Sequence, residues 1–121
     1  MTVNPRKPIY PRTRLPAHSF TVVLTTVPDR RAGQKIARHL VLKKVAACVS
    51  ACDSVQSVYR WKGKIETARE VLLIIKTSRS LFSKLEKILK AVHPYELPEI
   101  IALPVVAGSV QYLKWIQDSV K

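Results

Sequence analysis

The sequence predicts a single α+β domain, an α/β sandwich in which helices cover one face of an antiparallel sheet. Its 121 residues are enough for one hydrophobic core and too few for two. Apolar patterns typical of strands and helices follow in the order β-α-β-β-α-β, and one further helical pattern lies at the C-terminus. This order is the split βαβ, or ferredoxin-like, arrangement, here with an extra C-terminal helix.

The first strand and the first helix are indicated by a change of apolar period. Residues 20–26 are mostly apolar or β-branched, which favours a buried strand. Asp29 follows as a candidate N-cap for a helix over residues 30–44. Within that helix Ile36 and Leu40 share one apolar stripe, while most of the basic residues fall on the other side.

A long hairpin is predicted at the centre of the chain. Residues 47–59 and 65–77 have strand patterns, and Gly63 permits the positive φ of a tight turn between them. About thirteen residues of strand span roughly 43 Å, whereas a globule of this chain length is only about 35 Å across. The hairpin should therefore project from its own domain, and it carries apolar side chains near its tip: Tyr59, Trp61 and Ile65. We predict an obligate oligomer built through it.

The second helix shows the clearest periodicity in the chain. Its apolar stripe consists of Leu81, Leu85, Ile88, Leu89 and Val92. Ser78 or Ser80 is expected to cap this helix. A fourth strand over residues 100–106 contains Pro104, which places that strand at a sheet edge because proline donates no ladder hydrogen bond. A last short helix is expected from Ser109 onward.

Charge and cysteine content narrow the class of protein. The chain carries 21 Lys and Arg against 8 Asp and Glu, a formal charge of +13, which is typical of proteins with anionic partners or self-repelling surfaces. Residues 1–19 are basic and proline-rich, so we predict a disordered tail there and one folded domain over residues 20–121. Cys48 and Cys52 lie too far apart on one strand for a disulfide.

The compartment follows from what the sequence lacks. Two free cysteines are typical of a reducing compartment. No apolar run has the length of a membrane span, and the N-terminus lacks the apolar stretch of a signal peptide. We therefore predict an intracellular protein without a membrane partner.

Four polar side chains cluster between the second helix and the fourth strand. His93, Tyr95, Glu96 and Glu99 lie on a segment stiffened by two prolines. Imidazole and carboxylate groups can share a divalent metal such as Cu²⁺ or Zn²⁺, and they can equally bind a small polar ligand. The alternative is a rigid connection whose acids sit in solvent, and the residues alone leave these readings open.

Three further residues have both a functional and a simpler interpretation. Tyr59 and Trp61 can line a ligand cleft or act as interface anchors, and Lys76 can meet an anion or extend into water from a strand end. Glycine-rich phosphate loops, HExxH, GxSxG and CxxC are absent from the sequence, which argues against an enzyme. The apolar run at residues 71–75 has no aromatic side chain to stack on bases, which argues against a nucleic-acid-binding domain. A loose contact between the basic tail and nucleic acid is the part of this interpretation that stays open.

Five segments together resemble the CutA family of divalent-cation tolerance proteins. In chain order they are Ala46–Val49 (AACV), Ser57–Ile65 (SVYRWKGKI), Glu70–Thr77 (EVLLIIKT), His93–Ile100 (HPYELPEI) and Tyr112–Ile116 (YLKWI). The likeness extends over about residues 20–120.

The resemblance implies a cytoplasmic, non-enzymatic homotrimer that is similar in architecture to the PII signalling proteins. It also implies a role in tolerance of copper and other divalent ions, in which the protein acts as a sensor or buffer of a metal or small ligand. It implies His93 and Glu99 as metal ligands, and a cleft between subunits near Tyr59, Trp61, Lys76, Tyr95, Glu96 and Trp115. Some copper-binding members have a cysteine where this chain has Thr25, so a soft ligand for copper is lost here. A scaffold or anchoring trimer, the role associated with animal relatives, stays an alternative.

Overall fold

The structure of the chain is a computed structural model that describes residues 16–121. Four strands and three α-helices follow in the predicted order. They are β1 (Phe20–Val27), α1 (Arg30–Leu42), β2 (Cys48–Trp61), β3 (Lys64–Ser78), α2 (Phe82–Val92), β4 (Ile101–Pro104) and α3 (Val110–Ser119). The strands form one antiparallel sheet in the order β2-β3-β1-β4, which confirms the ferredoxin-like prediction.

The hydrophobic core lies between α1 and α2 on one side and the sheet on the other. Its fully buried members include Val23, Ile36, Leu40, Leu73, Ile75, Leu85 and Leu89. Helix α1 begins where expected, because the Asp29 carboxylate accepts a hydrogen bond from the backbone N–H of Ala32 at 2.8 Å. The helix ends two residues earlier than predicted, and Lys44 beyond it takes a φ of 60°, as is common after a helix C-terminus.

The other face of the sheet, called here the open sheet face, carries the alternate side chains of each strand. Its apolar side chains are Val22, Leu24, Leu72, Ile74, Ile101 and Leu103. They are half-buried or exposed, and Ile101 and Leu103 are 49% and 45% exposed. Helix α3 packs at one end of the sheet, where Leu113 and Ile116 contact Phe20. A sheet face this apolar and this accessible is typical of a surface that another chain covers.

The central hairpin projects as predicted, and the oligomer predicted to form through it stays a prediction. Strand β1 pairs with β3 only over residues 71–78, so residues 64–70 of β3 pair with β2 alone. The turn has φ values of 51° at Lys62 and 82° at Gly63, the signature of a two-residue type I′ turn. A bulge that the sequence did not predict lies between Cys52 and Val55. It increases the local twist and shifts the register of the distal half of the hairpin.

Three local predictions differ from the structure. Strand β4 has four residues rather than the seven of the predicted range 100–106, although Pro104 does lie on an edge strand. Ser78 and Ser80 do not cap α2. A single 3-10 turn, Arg79–Leu81, leads into that helix, and neither this turn nor α2 has a side-chain hydrogen bond that caps its start. Tight winding at the entry replaces the serine cap.

The segment before β1 was predicted to be a disordered tail. Residues 1–15 lie outside the described range, so the predicted disordered tail stays a prediction. Ala17–Ser19, which the sequence assigned to that tail, form one 3-10 turn next to Phe20.

Between residues 16 and 121, no helix is both long enough and apolar enough to cross a membrane. Cys48 and Cys52 are free thiols, as predicted.

Candidate functional site

A groove of about 770 Å³ lies where the hairpin leaves the rest of the sheet. Beyond the bulge, the alternating side chains Ser57, Tyr59 and Trp61 of β2 share a face with Glu70 of β3, which places them on the open sheet face. The segment between α2 and β4 forms the opposite wall. It contributes Tyr95, Glu96, Leu97 and Glu99. The groove therefore collects five of the eight residues predicted for the site.

His93 holds the start of that wall in place. Its ring Nδ1 accepts a hydrogen bond from the backbone N–H of Tyr95 at 3.1 Å. Since Nδ1 uses its lone pair there, a neutral ring carries its proton on Nε2, which lies 3.0 Å from the hydroxyl oxygen of Thr25. Thr25, the position at which the resemblance implies the loss of a soft copper ligand, therefore contacts the predicted metal ligand. In this arrangement His93 anchors the segment to the buried end of β1.

The environment of His93 favours its neutral form. Burial lowers the pKa of His93 below its usual value, and it outweighs the backbone of Thr26 and the Glu70 carboxylate, both of which raise that pKa. The unfolded chain then binds a proton at higher pH than the folded chain does. The contribution of neutral His93 to stability is therefore complete above about pH 6.5 and is lost as the pH falls through the folded-state pKa.

We expect the metal-free protein to lose stability between pH 7.5 and pH 5 partly through this group. The loss should stay below about 1 kcal/mol, because His93 is only partly buried and water screens the interactions that shift its pKa. Urea unfolding in EDTA at fixed protein concentration measures it. A His93→Gln variant should show a flatter dependence on pH, whereas His18→Gln, which changes an exposed histidine, should match the wild type. Parallel pH profiles for all three proteins would contradict this role.

Tyr95 and Glu70 form the polar contact at the floor of the groove. The Tyr95 hydroxyl donates to a carboxylate oxygen of Glu70 at 2.6 Å, and Glu70 is only 7% exposed. Burial, and then the neighbouring Glu70 carboxylate, raise the pKa of Tyr95 well above its usual value. The phenol therefore stays protonated and remains a donor at any physiological pH. This bond links the loop wall to β3.

The described residues do not assemble a complete metal site in one chain. Between residues 16 and 121, no group of three or more His, Cys, Asp or Glu side chains lies close enough to hold a metal ion. Glu99 lines the groove, but the Nδ1 lone pair of His93 is already engaged. A divalent ion at His93 and Glu99 would need further donors from outside the chain and a rearranged imidazole. Both residues stay predicted ligands.

Two predicted cleft residues lie away from the groove. Lys76 is six residues along β3 from Glu70, a separation of about 20 Å, and its ammonium group lies 3.4 Å from the hydroxyl oxygen of Ser50. Trp115 is on α3, where its ring lies 5.5 Å from that of Tyr112. One chain therefore does not bring Lys76 and Trp115 to the other cleft residues. The predicted cleft lies between subunits, so their membership stays a prediction.

The sequence reasoning missed several groups at this site. Glu70, Thr26 and Arg60 line the groove, and Thr25 contacts His93. Glu70 had a usable signal, because it is an acid placed directly before the apolar run at residues 71–75. A charged residue at the start of a buried strand commonly has a specific partner. Thr26 gave no such signal, since threonine is common in strands. Thr25 was singled out only as the position of a lost soft ligand, and its contact with His93 was not predicted.

The sequence matches known proteins over nearly all of the described fold. A model of the CutA1 divalent ion tolerance protein family matches residues 21–119. Protein CutA, chloroplastic, from Arabidopsis thaliana is 47% identical over 100 residues, which are 83% of this chain and 55% of that protein. The divalent-cation tolerance protein CutA of Thermus thermophilus is 43% identical over 98 residues, 81% of this chain and 95% of that protein. The chain thus spans about half the length of the plant relative and nearly all of the bacterial one.

Solved structures agree with the sequence comparisons. The crystal structure of CutA from Xylella fastidiosa superposes with a TM-score of 0.83 at 40% identity, covering 85% of this chain and 99% of that one. CutA1 from Oryza sativa gives a TM-score of 0.82 at 44% identity, covering 84% and 94%. The matched region runs from the first strand through the last helix, and the resemblance noted in the sequence is confirmed. The chain belongs to the CutA1 divalent ion tolerance protein family.

Proposed function

We propose that this chain serves divalent-cation tolerance as a cytoplasmic, homotrimeric binding protein rather than as an enzyme, and that its groove takes a divalent cation or a small polar ligand. The distribution of acids carries the proposal. The chain has 8 acidic residues and a charge of +13, yet Glu70, Glu96 and Glu99 line this one groove. Carboxylates gathered in a concave site within a basic protein attract cations. Membership of a family named for divalent ion tolerance supports the same reading.

The surface that supports the proposed homotrimer is the open sheet face. Half-buried Leu24 and Ile74 lie at its centre, with the exposed Ile101 and Leu103 beside them on β4. Covering this surface with further copies removes apolar area from water at about 25 cal/mol per Å². The groove opens on the same face, so a neighbouring copy can contribute side chains to it. Lys76 and Trp115 are the candidates for that contribution, in a trimer that resembles those of the PII proteins.

The choice of metal follows from the donors. Glu99 and His93 offer oxygen and imidazole nitrogen, and Thr25 offers no thiolate. Without a soft sulfur ligand, Zn²⁺ and Cu²⁺ compete on imidazole and carboxylate donors alone, and Cu⁺ loses its preferred ligand. We therefore propose Cu²⁺ or Zn²⁺ as the ion and expect weak rather than tight binding. Such a protein acts as a sensor or a buffer of the ion.

Titration calorimetry of the EDTA-treated, dialysed protein with CuCl₂ and ZnCl₂ tests this function. The wild type should bind, and His93→Ala and Glu99→Gln should each weaken binding at least about tenfold, as loss of one ligand does. Glu86→Gln is the matched control, because Glu86 pairs with Lys90 on α2, away from the groove. Binding that is equal in all four proteins would remove His93 and Glu99 from the site.

A scaffold or anchoring trimer is the second candidate. The observation that favours it is the lack of a three-ligand metal set among residues 16–121. Native mass spectrometry of the same samples separates the two functions. A trimer that takes up neither ion would support the scaffold, whereas a trimer with bound metal in stoichiometric amount would support the binding protein.

A further inference from the structure

The outer surface of the two core helices is strongly basic. Helix α1 presents Arg31, Lys35 and Arg38 at i, i+4 and i+7, and α2 presents Lys84, Lys87 and Lys90 at i, i+3 and i+6. We call these six side chains, all of which are exposed, the basic helix face. Each set follows one side of its helix, opposite the buried Leu40 on α1 and Leu85 on α2.

Acids do little to neutralise this surface. The sequence of α1 contains no acid, and α2 contains only Glu86, which pairs with Lys90 at 3.2 Å. Asp29 at the start of α1 is occupied as its N-cap. Glu70, Glu96 and Glu99 lie in the groove on the other side of the sheet. The basic helix face therefore keeps most of its positive charge.

The basic helix face remains available when copies associate through the open sheet face, because the two lie on opposite sides of the sheet. Along each helix the cations are about 4.5 to 6 Å apart, from a rise of about 1.5 Å per residue, and packed helices have axes about 8–10 Å apart. Cations spread in this way do not converge on a small anion. They match an extended array of negative charge, such as the phosphates of a duplex, which carries one charge per about 1.7 Å of axis.

We propose that the basic helix face docks on the phosphate backbone of double-stranded nucleic acid without reading its sequence. The exposed positions of the two helices hold no Phe, Tyr or Trp and one amide side chain, Gln34, so the six cations dominate this surface. Cations spread along two helices match phosphates, which carry no sequence information. The sequence argument against nucleic acid concerned base stacking on the sheet, and this surface does not use the sheet. An anionic bilayer is the less suitable partner, because the large exposed apolar side chains of α1 and α2 lie at the C-terminal ends of these helices: Val41, Leu42 and Val92.

Fluorescence anisotropy of the full chain with a labelled 24-base-pair DNA of mixed sequence tests the proposal. Affinity should be measured between 50 and 200 mM KCl. A plot of the logarithm of the association constant against the logarithm of the salt concentration should have a slope of about −5, because each of the six cations that contacts a phosphate contributes about −0.9. The variant Arg31→Glu/Lys35→Glu/Arg38→Glu should flatten this slope to about −2 or −3 and weaken binding at 50 mM at least tenfold. A second duplex of different sequence should bind equally.

A matched control separates this surface from net charge. The variant Lys62→Glu/Lys64→Glu/Arg69→Glu makes the same change of charge on the projecting hairpin, and it should lose several-fold less affinity. Circular dichroism melts confirm that both variants fold. Equal losses in the two variants would overturn the proposal, and so would binding that disappears when only Arg6, Lys7, Arg12 and Arg14 are changed to Gln. Binding to phosphatidylserine vesicles but not to DNA at 50 mM salt would also overturn it.

Discussion

An Ile74→Asp variant is expected to sediment as single chains, with a mass about threefold below that of the proposed wild-type trimer. Ile74 lies at the centre of the open sheet face, opposite Leu24 on β1 and Ser50 on β2. A carboxylate buried there against other copies costs several kcal/mol at each interface. In a single chain the same side chain contacts water, so the fold persists. Sedimentation equilibrium at micromolar concentration measures the mass, and circular dichroism checks the fold.

The control for this variant is Leu42→Asp. Leu42 is also apolar and is 76% exposed, but it lies on the outer side of α1, away from the open sheet face. It should keep the wild-type mass. A wild-type protein that is already a single chain, or equal association in the wild type and Ile74→Asp, would contradict assembly through this face.

Tyr95→Phe is expected to lower the free energy of unfolding by about 1–3 kcal/mol, a large effect for the loss of one oxygen atom. The variant removes the donor 2.6 Å from the Glu70 carboxylate, which is too buried for water to replace the bond fully. In the wild type, every buried polar side-chain atom among residues 16–121 has a partner. Urea unfolding at neutral pH and fixed concentration measures the change.

Two further variants identify the cause of that loss. Tyr112→Phe removes the hydroxyl of a tyrosine that is 43% exposed, and it should change stability by less than about 0.5 kcal/mol. The double variant Tyr95→Phe/Glu70→Leu removes both members of the pair, so its loss should be smaller than the sum of the two single losses. Additive losses would show that Tyr95 acts through packing alone and not through Glu70.

The sequence predicted those features of the fold that depend on period and length. Strand patterns too long for the globule predicted the projecting hairpin, and Pro104 predicted an edge strand. The bulge between Cys52 and Val55 was not predicted, because Ser54 takes a φ of 60° without the glycine that commonly marks such a position. The prediction that Ser78 or Ser80 caps α2 was wrong. A helix can begin either with a side-chain cap or with a tighter 3-10 turn, and the residue types at its start do not decide which of the two forms.

The candidate site was predicted in part for the same physical reasons. Tyr59 and Trp61 alternate on one strand, and Tyr95 and Glu96 are close in sequence, so local spacing was enough to group each pair. Their meeting in one groove with Glu70 depends on tertiary packing across 25 residues of chain. Lys76 lies on the same strand as Glu70, yet distance along an extended strand keeps it out of the groove. Spacing alone does not show which segments of different chains meet.

The shortness of β4 has a consequence for solubility. Its four residues end at Pro104, the partner of Thr21, and proline offers no amide hydrogen to a strand arriving from outside. Short edge strands that contain proline resist the strand-by-strand growth that leads to fibrils. Growth by strand addition is thereby disfavoured at the β4 edge, one of the two edges of the sheet. In the proposed trimer, association through the broad apolar surface would then stop once that surface is covered, which favours a closed particle over a precipitate.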